Sequence, residues 1–256
     1  MSFSGAQLNN HFTIIIPSYN NERWVEKCLG SALRQDYNNY DVIFINDCST
    51  DSTLVSARKV IENTPTKSKV RLVNNDINRK ALYNLYHHIS ASRDGTIIVT
   101  LDGDDWFPNN QALNFLNETY SDSDVWITAG SYIDNVAAII SSPNLTPGYW
   151  KGNIRTKLWT ISHLRTFRKE LFMKIRYEDL LDIDNYFYKF TFDQAMMYPM
   201  AEMAGPRHFR EIKEVLYVYN RRNPISVDRV HRHDQLRIEQ QIRRKNPYCE
   251  LENLDV

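Results

Sequence analysis

The chain is poor in the features that would tie it to an oxidising compartment, a nucleic acid or a membrane. Its 256 residues include only three cysteines, Cys28, Cys48 and Cys249, an odd number with no metal-type spacing. That excludes a disulfide framework and a zinc ribbon, and fits reduced thiols. Lys plus Arg and Asp plus Glu both number 31, so the net charge is zero. No broad positive field exists to collect polyanions, and nucleic acid is not an expected partner. No apolar run reaches spanning length, and Met1–Gln7 lacks the basic and apolar regions of a leader. A soluble protein of a reducing, cytoplasmic compartment is expected, and the sequons at Asn117 and Asn144 are read as chance. Internal repeats and low-complexity tracts are missing too.

What is present is an alternation of buried strands and amphipathic helices. Phe12–Ile16 is a β-branched run stopped by Pro17, and Glu22–Gln35 carries Trp24, Val25, Cys28, Leu29, Ala32 and Leu33 at helical spacing. Asp41–Asp47, Val70–Val73, Thr96–Leu101 and Val125–Ala129 read as further strands. Helices are expected from the Ser49–Thr53 start to about Asn63, over Lys80–Ser92 and over Leu113–Tyr120. This spacing predicts an α/β fold with a mostly parallel central sheet flanked by helices. With 42% apolar residues the chain can fill one core, so a single domain over 1–256 is expected. Periodicity weakens after Asn135. A loop over 144–155 and helices near Arg168–Lys174, Phe192–Ala204 and Arg229–Arg244 are expected there, the last with a solvated basic face.

The most informative stretch is Thr96–Leu101 followed by Asp102, Gly103, Asp104 and Asp105. Neighbouring carboxylates repel and lose hydration unless a cation sits among them. Hard oxygen ligands of this kind suit Mg²⁺ or Mn²⁺, which in turn can hold a diphosphate. The alternative is a solvated acidic turn. Two further polar clusters, Pro17–Asn20 and Asn46–Asp47, also end predicted strands. Ligands of parallel α/β sheets bind beyond those carboxyl ends, so the three clusters point to one site.

Ile14–Asn20, Phe44–Thr53 and Val99–Trp106, in this order, resemble the motifs of the GT-A glycosyltransferases of the family 2 type, which use nucleotide-sugar donors. The resemblance spans about 12–130, the nucleotide-sugar half, and continues more weakly to about 225 in an acceptor-side half with a helical tail. It implies a Rossmann-like GT-A fold and a set of roles. Pro17, Tyr19 and Asn20 would frame the nucleoside, and Asp47 would accept from the uracil imide N–H. Asn46 stands where the family often has a second acid. Asp102 would contact ribose or metal, Asp104 would coordinate Mn²⁺ or Mg²⁺ directly, and Asp105 would support them by hydrogen bonding. Arg79 and Lys80 replace a Gly-rich turn, and either touch the donor or form a solvated first turn. Trp159 offers a face for a sugar ring, while His163 and Arg165 bond hydroxyls or serve the structure. Asp193 matches the general base of inverting members, or caps a helix; Asp51 is a cap or a base contact. A C-terminal histidine can complete a GT-A metal shell. His231 and His233 are the first candidates, with His208 behind them, but an i, i+2 pair cannot easily serve one ion. Arg221 and Arg222 are placed to reach a diphosphate.

Asn78–Asn84, His163–Arg168 and Phe192–Met197 further resemble stand-alone glycosyltransferases of giant DNA viruses, a group that includes a collagen galactosylhydroxylysine glucosyltransferase. That resemblance implies a UDP-glucose donor, a glycosylated collagen-like acceptor, host cytoplasm and a retained anomeric configuration. Asp193 would then position the acceptor or stabilise a cationic centre. The expected partners are a nucleotide sugar and a glycan or glycosylated protein, with the aromatic second half as acceptor groove or homodimer contact. The rival readings are donor binding without turnover and a saccharide- or Ca²⁺-binding module. A nucleotidyltransferase is disfavoured because Pro17–Asn20 is not a Gly-rich basic loop.

Overall fold

The structure is a computed structural model that describes residues 9–225 and 230–254. Met1–Gln7 and the expected helix start at Arg229 lie outside the described residues. Strands β1 (Phe12–Ser18), β2 (Tyr40–Asn46), β3 (Val70–Asn74) and β4 (Ile97–Thr100) pair in parallel in the order β3-β2-β1-β4. Successive side chains of β1 go to opposite faces, as strand geometry dictates. Phe12, Ile14 and Ile16 join one core, and Ile15 the other.

Helices α1 (Val25–Leu33), α2 (Thr53–Glu62) and α4 (Ala112–Thr119) close the first core. Helices α3 (Ala81–Ser90) and α6 (Phe192–His208) close the second. Asp51 accepts from the Thr53 backbone N–H at 2.9 Å, so it serves the start of α2.

The sheet turns mixed in its second half. Strand β7 (Arg165–Arg168) pairs antiparallel with both β4 and β5 (Ile127–Asp134), and β6 (Ile140–Ser141) extends the edge. Helix α5 (Lys169–Met173) follows β7. Strand β8 (Phe209–Tyr219) runs parallel to β5 and is absent from the sequence reading for a physical reason. Its register jumps from Ala129↔Glu211 to Ser131↔Val215. The bulge spaces Phe209, Ile212 and Val215 three apart, which hides the period of two.

Helix α7 (Arg232–Arg244) buries Ile238 and Ile242 and exposes Arg232, Arg237 and Arg244, but the expected solvated basic face is incomplete, because Arg243 turns inward to donate to the Arg155 and Lys157 carbonyls. A bidentate pair between Arg155 and Glu202, at 2.7 and 2.8 Å, anchors it, since Arg155 also donates to the Ile242 carbonyl. No described helix is long and apolar enough to cross a membrane, and Cys28, Cys48 and Cys249 are free thiols.

Candidate functional site

The parallel pairing sets the ends of β1, β2 and β4 side by side, with Ser18 opposite Asn46 and Ile15 opposite Thr100. The acid loop leaves β4 and folds onto the end of β1. A Cβ on Gly103 would sit 2.6 Å from Ser18 Oγ and 2.8 Å from the Pro17 carbonyl. Only glycine lets the loop pack this closely between its acids.

Strand β8 pins the loop from the other side. The Val218 N–H donates to the Trp106 carbonyl at 2.9 Å. Tyr217 donates its hydroxyl proton to Asp105 Oδ2 at 2.5 Å, and the Asn220 N–H donates to Asp105 Oδ1 at 2.7 Å. Asn223 Nδ2 donates to Asp104 Oδ2 at 2.7 Å. Tyr217, Asn220 and Asn223 are the site residues that sequence reasoning missed. Their signal is the polar run after an aromatic strand, and it was concealed with β8 itself.

Ligand atoms of Asp102, Asp105 and His163 lie within 4.8 Å of one another. Burial, then the charges of Asp104 and Asp102, push the Asp105 carboxyl well above the usual range. Asp102 is raised by burial, with Arg165 opposing and Asp193 adding to the shift. Each of these costs is one that a divalent cation would relieve, and the oxygen donors suit Mg²⁺ or Mn²⁺. The acid oxygens suit the expected ion, although this group holds Asp105 in place of Asp104, the expected direct ligand, whose Oδ2 accepts from Asn223. His163 is held well below its ordinary pKa, first by burial and then by Arg165.

Arg165 is 3% exposed and stands between the two sides of the site. Its Nη2 donates to His163 Nε2 at 2.9 Å and lies 4.0 Å from Asp193 Oδ2. Asp193, in the first turn of α6, thus faces the Asp102 neighbourhood across one guanidinium.

On the β2 side, Asp47 is 3% exposed and gathers the loop before α3. Its Oδ1 accepts from the Arg79 N–H and Asn75 Nδ2, and its Oδ2 from the Lys80 N–H, all at 2.8 Å. Those contacts leave one lone pair on Oδ2 for a further donor. Lys80 adopts φ 69°, ψ 165°, a region proper to glycine. Its Nζ is 5.7 Å from the ring of Tyr19, which is 40% exposed. Asn20 accepts from the Thr50 N–H at 2.8 Å and stitches this loop to the next.

The other expected residues have packing or ion-pair partners of their own. Trp159 packs edge-on against Tyr198, with ring centroids 4.9 Å apart. His231 stacks on Phe190 and approaches Asp234, and among the described residues neither it nor His233 joins the ligand group around Asp102. His208 stacks on Trp126 at 3.5 Å. Arg221 pairs with Asp134 at 3.3 Å. A hollow of about 850 Å³ between α4 and β8, lined by Phe115, Leu145, Trp150 and Phe209, gathers no such group of acids.

The model of glycosyl transferase family 2 matches residues 13–176, well over half the chain. The chain belongs to this family. Its family 2 segment carries all three strand-end clusters and β7, while Asp193 and β8 lie beyond it. The putative colanic acid biosynthesis glycosyl transferase WcaA of Escherichia coli is 25% identical over 151 residues, which are 59% of this chain and 53% of WcaA. The chain thus spans about half the length of that curated relative. TarS of Staphylococcus aureus in complex with UDP superposes with a TM-score of 0.62 at 17% identity, over 91% of this chain and 65% of that one. The mannosyltransferase PcManGT of Pyrobaculum calidifontis, in complex with GDP-Man and Mn²⁺, superposes at 0.66 with 19% identity, over 94% and 66%. At these identities the likeness shows the fold, which is GT-A.

Proposed function

We propose that the protein transfers a hexosyl group from a UDP-sugar to an acceptor hydroxyl in a metal-dependent reaction. The observation that carries this reading is the acid loop, whose crowded carboxylates, the buried Asp105 among them, face Asp193 across Arg165. Family membership and the nucleotide complexes of TarS and PcManGT support a nucleotide-sugar donor.

Pro17, Tyr19 and Asn20 frame the nucleoside, and the remaining lone pair of Asp47 takes the base N–H. An unmatched buried donor there would cost about 1–3 kcal/mol. Arg79 and Lys80 border the same loop and supply positive charge to the donor. Asp102 and Asp104 hold Mn²⁺ or Mg²⁺, which when bound supplies positive charge to the departing diphosphate. Trp159 lines the sugar side. Asp193 takes the acceptor proton if the reaction inverts, and positions the acceptor if it retains. Glucose as the sugar and a galactosylated hydroxylysine of a collagen-like protein as the acceptor are supported by the motif resemblance to the viral enzymes.

The test is a transfer assay with UDP- and GDP-sugars and a panel of acceptors that includes galactosyl-hydroxylysine peptides. UDP-glucose should be consumed only with metal and acceptor, and Asp193→Asn should cut turnover by about a hundredfold or more while UDP affinity holds. NMR of the product anomer then assigns the role of Asp193. Metal-independent turnover, or full activity in Asp193→Asn, would contradict the reading.

A further inference from the structure

The group of ligand atoms around Asp102 contains a histidine, yet the hydrogen bonding behind that histidine opposes ligation. Arg165 Nη2 lies 2.9 Å from His163 Nε2. A guanidinium offers only N–H donors and keeps its proton, so Nε2 accepts and the ring proton resides on Nδ1. Nδ1 is buried without a hydrogen-bond partner among the described residues, and it stands 3.9 Å from Asp102 Oδ2. That gap is about 0.9 Å longer than an ordinary N–H···O bond. The ring is also held in plane. It stacks on Tyr217 at 4.4 Å and on Tyr219 at 5.5 Å, and Tyr132 meets it edge-on. A metal ligand needs a free lone pair, and the nitrogen turned toward the acids carries a hydrogen.

We propose that His163 is a neutral hydrogen-bond donor to Asp102, locked in that tautomer by Arg165, and not a ligand of the metal. This deepens the metal-dependent reading above and rests on it. Closure of Nδ1–H onto Oδ2 fixes the carboxylate and leaves its other oxygen for the cation. His163 and Arg165 are then positioning residues. Arg165 is suited to the task because it is buried, its Nε and Nη1 lack hydrogen-bond partners among the described residues, and Asp193 is 4.0 Å away. One rigid cation thereby sets the acid on the metal side relative to the acid on the acceptor side.

The experiment compares the full-length protein with His163→Asn and His163→Leu, each bound to UDP and Mn²⁺. Asn places an N–H where Nδ1 stands, whereas Leu has no donor. UDP affinity with Mn²⁺, from calorimetry, should stay within about threefold in His163→Asn and fall about tenfold in His163→Leu. Pulsed EPR of the bound Mn²⁺ should show the same nitrogen coupling, or the same lack of one, in wild type and His163→Asn. A coordinated-imidazole signal that wild type has and His163→Asn has lost would overturn the inference alone. UDP binding indifferent to Mn²⁺ in wild type would overturn the metal-dependent reading and this inference with it. Should His163→Leu fail to fold, the spectroscopic comparison with His163→Asn decides.

Discussion

Asp105 carries its charge in less favourable surroundings than an ordinary carboxylate, buried and beside the charges of Asp104 and Asp102. Its folded pKa therefore lies well above that of an ordinary carboxylate. Between the two values the folded protein keeps a proton that the unfolded chain releases. Stability from this group is full below the unfolded pKa and is lost as pH rises through the folded one. Without metal, wild type should thus gain stability relative to Asp105→Asn as pH falls from neutral toward 5, in paired denaturant titrations. Added Mn²⁺ at neutral pH should narrow the same difference. Parallel pH profiles for the two proteins would show that Asp105 is not under this strain. The acids themselves were legible in the sequence because they end a β-branched strand. The orientation of His163 was not, because Tyr217 and Tyr219, which hold its ring, come from a strand more than fifty residues later.

At the start of α3, an element-level compromise replaces the glycine that the family motif would place there. Lys80 holds φ 69°, ψ 165°, and the clasp of Asp47 on the Arg79 and Lys80 N–H groups keeps it there. Such a backbone costs about 1–3 kcal/mol in a non-glycine residue, and glycine returns part of the gain as unfolded-state entropy. Lys80→Gly should stabilise the fold by about 1 kcal/mol in chemical denaturation while weakening UDP binding through the lost cation beside Tyr19. Destabilisation would mean that the lysine side chain outweighs the backbone strain. The parallel strands and their helices were readable because their apolar spacing is regular. Strands β7 and β8 were not: β7 is four residues with arginine at each end, and the bulge breaks the alternation of β8. The missing half of the acid loop's support followed from that single irregularity.

Across the whole molecule, the segment after β8 is tied to the body by buried bonds, with Arg155 and Glu202 at their centre. Arg155 and Glu202 are 1% and 5% exposed in their side chains, and Glu202 also accepts from the Tyr248 N–H at 3.0 Å. Truncation of one partner leaves the other charge buried, which costs about 3–5 kcal/mol. Glu202→Ala should lower stability by that amount and raise hydrogen exchange in 232–254 first. Uniform exchange with unchanged stability would contradict this anchoring. The proposed function depends above all on acids at the carboxyl end of the sheet binding a nucleotide through a divalent ion. Calorimetric titration of UDP into the protein with Mn²⁺, then with chelator, and then into Asp102→Ala and Asp104→Ala, tests it most directly. Binding with Mn²⁺ that weakens at least about tenfold on chelation and in both variants is the predicted result. Equal affinity with and without metal in wild type, or variants that bind as wild type does, would contradict it.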